Sequence, residues 1–166
     1  MNTFRNIVLM SLVPLFFISC SADPLADSES LASFFEQQGF DYSIDKEGDF
    51  RIPADSGSIP KDVWIRGQLN FAGDTAVREI FSVSLVVSEE EMATLGRVLL
   101  QDNMQTRIMG SWSVVPESGG SDSNTYIVIY TVKAGINADR DYILQAVYET
   151  ASAAAALERV LSPVND

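Results

Sequence analysis

Histidine is absent from this chain, and cysteine occurs once, at position 20. The first absence removes the usual general base near neutral pH and the commonest metal ligand. The second leaves no pair of thiols for a disulfide or a redox couple, and no thiol cluster for zinc. Basic residues are also scarce: 11 Lys and Arg stand against 23 Asp and Glu, a formal charge of −12. So acidic a chain repels phosphate backbones and anionic lipid surfaces, which argues against nucleic acid as a partner. No nucleotide-binding motif is present either. With 46% apolar residues, the chain can still build a core that needs no disulfide. The expectation is a protein without metal, cofactor or catalysis.

Long apolar runs are missing as well. The one run of note, Ile7 to Ile18, is interrupted by Pro14 and preceded by Arg5. It falls short of the roughly 20 residues that cross a bilayer. A charged start, an apolar middle and small residues at the end are the pattern of an export signal. Phe17-Ile18-Ser19-Cys20 resembles the lipobox of bacterial lipoproteins, which implies cleavage before Cys20 and acyl chains, palmitate among them, on its thiol and amine. Ser21 resembles the residue that follows the lipidated cysteine in outer-membrane lipoproteins. The organisation expected is a signal peptide over 1–19, a lipidated cysteine and tether over 20–27, and one domain over 28–166. The location implied is the periplasmic side of the outer membrane, with the acyl chains on Cys20 as the membrane contact.

From residue 28 the hydrophobic period tells helices from strands. Leu31, Phe34 and Phe35 recur at helical spacing and Gly39 stands at the stop position. Phe40, Tyr42 and Ile44 then alternate with polar residues, and a Lys46-Glu47-Gly48-Asp49 turn leads to Phe50 and Ile52. A strand from Val63 to Phe71 follows, then one in which Val77, Glu79, Phe81, Val83, Leu85 and Val87 share a face. Ser88-Glu89-Glu90-Glu91 forms a capping box that opens a helix through about Asn103. Two more strands, Thr106 to Val115 and Thr125 to Lys133, precede a last helix capped by Asn137. Its alanines at 151 and 153–156 permit close approach to a sheet. The order α-β-β-β-β-α-β-β-α describes an α+β fold: an antiparallel sheet of about six strands with helices on one face.

This order resembles the type III secretion chaperone-like fold, and in particular the YbjN-type family. The likeness is carried by the helix ending at Gly39 with its following hairpin, by Leu99-Leu100-Gln101-Asp102-Asn103 before a strand, and by Ala134-Gly135-Ile136-Asn137 ahead of the final helix. The resemblance implies a dimer and carries no catalytic residue across. The acidity of the chain opposes self-association, so a homodimer stays open.

Several constellations invite chemistry. Asp41, Ser43, Asp45, Glu47 and Asp49 cluster, but an EF-hand loop would need glycine where Lys46 stands and glutamate where Ile52 stands. A solvated strand and turn fits better. Ser58-Ile59-Pro60-Lys61 matches the Ser-x-x-Lys of penicillin-binding enzymes, yet it sits in a loop by composition. Glu89 to Glu91 complement a helix dipole. Trp112 reads as core. Trp64 alternates with the core residues of its strand, which places it on the mixed sheet face beside Ile80, Val86, Met109 and Val115. That set is the candidate binding patch for a protein or peptide. The expected function is therefore a lipid-anchored periplasmic binding module. The alternatives are a structural or sensory envelope-stress lipoprotein without a bound client, and a hydrolase using a carboxylate pair.

Overall fold

The computed structural model describes residues 28–55, 59–117 and 125–161. Three helices, α1 (Ser28–Gln38), α2 (Glu89–Gln105) and α3 (Arg140–Leu161), pack against seven strands. The strands are β1 (Ser43–Ile44), β2 (Phe50–Ala54), β3 (Lys61–Ile65), β4 (Asn70–Ala72), β5 (Thr75–Ser88), β6 (Gly110–Pro116) and β7 (Thr125–Gly135). The sheet is antiparallel in the order β1-β2-β3-β5-β7-β6, with β4 pairing β5 off that path. The fold is α+β, as expected. None of the helices among the described residues is long and apolar enough to cross a membrane.

Local signals set the helix ends. Phe40 N–H bonds Phe35 O and Gly39 N–H bonds Glu36 O, a Schellman ending in which Gly39 takes φ +73°. At the start of α2, Ser88 Oγ accepts the Glu91 N–H while the Glu91 carboxylate accepts the Ser88 N–H. The cap of α3 lies two residues later than expected: Asp139 Oδ1, not Asn137, accepts the Tyr142 N–H at 2.7 Å.

Three strand readings are corrected. The first strand is only Ser43–Ile44, since Phe40 and Tyr42 pack their rings on Phe35 instead of joining the ladder. The strand read from Val63 to Phe71 breaks into β3 and β4. Asp49, far away in sequence, takes the Gly67 N–H on Oδ1 and the Arg66 guanidinium on Oδ2. Gly67 lies so close to the Gly48 carbonyl that a Cβ there would stand 2.3 Å from its oxygen. Past the break Phe71 turns outward and is 72% exposed.

The third correction concerns β5. Its register against β7 slips between Val83 and Leu85, so Ser84 is the extra residue of a β-bulge. A one-residue slip swaps faces. Before the bulge Ala76, Arg78, Ile80 and Ser82 face the helices, and after it Leu85 and Val87 do. The polar members are satisfied locally: Arg78 Nη1 donates to Arg66 O, Ser82 Oγ to Asp62 O, and Ser84 Oγ to Ala154 O. The last bond, at 2.8 Å, joins a short strand side chain to the backbone of α3. The buried alanines at 151 and 153–155 make that approach possible, as the sequence indicated. Lys61 Nζ completes the clamp by donating to the Val83 and Ser84 carbonyls and pairing with Glu158 of α3.

The core is one cluster between the helices and a single face of the sheet. Phe34, Phe35, Phe50, Ile65, Ile80, Tyr130 and Val132 are fully buried there. Among the described residues, no helix packs on the opposite face of the sheet.

Candidate functional site

Cross-strand register assembles the open face from three rows. Arg51, Trp64, Phe81, Thr131 and Ser111 form the first. Val83, Ile129 and Ser113 form the second, and Val86, Ile127 and Val115 the third. The bulge is what keeps Val83 and Val86 on one face although they stand three positions apart. Aliphatic and aromatic side chains thus run across four adjacent strands, β3, β5, β7 and the edge strand β6. Val83, Val86 and Val115 are exposed, and the others are half-buried by their neighbours.

Cations border this patch, each held by an acid. Arg51 pairs with Asp62 at 2.5 Å, Arg66 with Asp49 at 2.7 Å, and Lys133 with Glu79 at 3.8 Å. The Arg51 guanidinium stands 5.9 Å from the Trp64 ring centre and that of Arg66 4.9 Å from Phe81, so both aromatic rings are partly roofed by charge. With three cations against three carboxylates, the face is locally neutral on a strongly acidic protein.

Of the patch expected from sequence, Trp64, Val86, Met109 and Val115 lie on or beside this open face. Met109 and Val115 line one shallow hollow with Ile129 and Thr131. Trp64 is not in that lining, which reaches β3 only through Arg66 just past its end, and it stands next to Phe81. Ile80 is corrected: it is fully buried and faces the helices, because β5 runs in the opposite phase before its bulge. Phe81, Val83, Ile127 and Ile129 take its place. Phe81 alone pairs with Trp64 across the ladder, and that pairing was the signal available for finding it.

The edges of the sheet are short or partly covered. On β6 the Asn103 side chain mimics a neighbouring strand: its Oδ1 accepts the Trp112 N–H at 2.6 Å and its Nδ2 donates to Trp112 O at 3.2 Å. Pro116, at the end of the strand, has no N–H to donate. On the other side β1 is two residues long and β2 contains Pro53. Such devices guard natural sheets against pairing with another chain.

A second polar cluster lies beneath α2 and α3. Asp102 Oδ2 accepts the Arg107 Nε–H and the Trp112 indole N–H, each at 2.6 Å. Arg107 Nη1 reaches Glu149 at 3.4 Å, and the Tyr130 hydroxyl donates to the same carboxylate at 3.0 Å. Burial alone would raise the Asp102 carboxyl, but hydrogen bonds from Trp112 and Arg107, with the Arg107 charge, outweigh it and hold the group below the usual carboxylate range. Burial pushes the Tyr130 phenol up to about 12, with the Glu149 charge and hydrogen bond adding to it. These carboxylates are engaged by internal donors. They tie α2, β6, β7 and α3 together.

The acidic hairpin is likewise structural. The carboxylates of Asp45, Glu47 and Asp49 come within 4.8 Å of one another. Asp45 Oδ1 accepts the Glu47 and Asp49 N–H groups, and Asp49 is taken by Gly67 and Arg66. The oxygens form the turn. Cys20 and Ser58 lie outside the described residues. No protein-family model matches the chain, and no curated protein matches it.

Proposed function

We propose that this chain is a lipid-anchored module on the periplasmic side of the bacterial outer membrane, which holds a protein or peptide partner without catalysing a reaction. The observation that carries this reading is the open sheet face. Its apolar rows span β3, β5, β7 and β6, while all three helices pack on the opposite side. A contiguous apolar patch rimmed by paired charges is the usual build of a recognition surface. Local neutrality matters as much, because elsewhere the acidity of the chain repels the acidic proteins that form much of any proteome. The anchor rests on the lipobox-like Phe17-Ile18-Ser19-Cys20, and the eight residues from Cys20 to Asp27 reach about 27 Å at most, which keeps the domain near the bilayer.

The YbjN-type resemblance belongs to the same reading. The described residues follow the expected element order with one further short strand, β4, and a chaperone-like role accords with a sheet that leaves one face uncovered. A homodimer through that face is the competing occupancy. The test is affinity capture from envelope extract with the lipidated protein and its Val83→Glu variant. Val83 is exposed, so the variant folds. A partner retained by the parent and lost by the variant supports the proposal. Capture of the same proteins by both, or of none, contradicts it, and a dimer dissociated by Val83→Glu assigns the face to a second copy.

A further inference from the structure

A groove between α2 and the end of α3 exposes aliphatic side chains away from the rows of the sheet face. It has a volume of about 630 Å³ and is lined by Val86, Leu95, Val98, Leu157, Val160 and Leu161 among others. Val98 is 54% exposed and Val160 75%. Two lining valines so open to water contribute little to the core of the monomer. Aromatic rings are absent from the lining, and the only charged residues in it are Glu90 and Glu91. Glu91 is engaged in the capping box, whereas Glu90 extends from the exposed first turn of α2.

We infer that this groove binds a cationic amphipathic segment, a helix that lays aliphatic side chains between α2 and α3 and sets Lys or Arg against Glu90 and Glu91. Two parallel demands point to that occupant. Walls made by two helices and lined by branched aliphatics accept side chains at i, i+3, i+4 and i+7 of a third helix. The carboxylates on the rim, inside the field of a chain with formal charge −12, favour a cation and repel an acidic segment or a free carboxylate. This surface is distinct from the sheet face. Val86 alone is common to both, as it sits where β5 leaves the sheet for α2.

The test uses the full chain in phosphatidylcholine nanodiscs, with empty discs as the blank, and two fluorescent helical peptides of about 15 residues. Both carry the same leucine spacing, and their polar positions are all Lys in one and all Glu in the other. Anisotropy should show saturable binding of the Lys peptide and binding of the Glu peptide weaker by at least about tenfold. Val98→Ser with Val160→Ser removes apolar surface without changing charge and, at exposed positions, without threatening the fold. It should weaken the Lys peptide about tenfold or more. Glu90→Gln should weaken it by a smaller factor, and Val83→Glu on the sheet face should leave it within about twofold. Equal binding by the double serine variant would show attraction by net charge alone and overturn the inference. So would equal affinity for the two peptides, no binding of either, or loss on Val83→Glu. Binding that appears only when residues 162–166 are removed would make the chain's own tail the occupant and would also overturn it.

Discussion

Tyr130→Phe isolates one hydroxyl at the centre of the fold. That hydroxyl donates to Glu149 at 3.0 Å, so near pH 8 its loss should cost about 2 kcal/mol, the range for a hydrogen bond to a charged acceptor. The cost should then shrink as pH rises. The phenol titrates at about 12 in the folded protein against an ordinary value of 10.0. Between these values the unfolded chain ionises its tyrosine while the folded one keeps the proton. Stability from this group is therefore complete below pH 10 and is lost as pH climbs through 12. At pH 11 the wild type should have given up about 1.4 kcal/mol that the phenylalanine variant never had to lose. The gap between the two proteins should fall from about 2 to about 0.6 kcal/mol. Urea unfolding followed by tryptophan fluorescence at pH 8, 10 and 11 measures it, with the buried Trp112 5.0 Å from the Tyr130 ring as reporter. A gap that stays constant across this range would refute the account of the cluster.

Three further outcomes are expected, the first two from the geometry and the third from the lipobox-like sequence. Gly110→Ala should destabilise by at least about 2 kcal/mol in the same assay, because its Cβ would meet Thr131 O at 2.6 Å, Val132 Cγ2 at 2.8 Å and Tyr130 Cε1 at 2.9 Å. Ser88→Ala should cost about 1 kcal/mol by opening the capping box, read as a shift of the urea midpoint at unchanged slope. Mass spectrometry of the membrane-extracted protein should find an acylated N-terminus at Cys20, and Cys20→Ala should abolish both the acyl mass and the mature form.

Signals confined to a few neighbouring residues were legible in the sequence. The Ser88–Glu91 box, the glycine stop after α1, the alanine-rich face of α3 and the α+β class all rest on contacts within one turn or on a sustained period. What failed was long-range or broke the period. A 14-residue strand read with an unbroken alternation puts Phe81 and Val83 in the core, and only the bulge at Ser84, pinned by Lys61 and α3, restores the observed faces. The break after Ile65 is imposed by Asp49, 18 residues before Gly67, and leaves no period to read. The Asp102–Arg107–Glu149 cluster joins two helices 42 residues apart between Arg107 and Glu149. Its one sequence cue was Trp112, a core indole whose N–H needs an acceptor. Of the candidate patch, Trp64 was legible because β3 is short and regular. Ile80 was misplaced with the rest of its strand.

The claim that the open face holds a partner is tested most directly by photocrosslinking in intact cells. A photoreactive amino acid is placed at position 83 on the sheet face or at position 148, where Tyr148 is exposed on α3. The account predicts a discrete crosslinked adduct to another protein from position 83 and none from 148. No adduct from 83, or the same adducts from both positions, would contradict it.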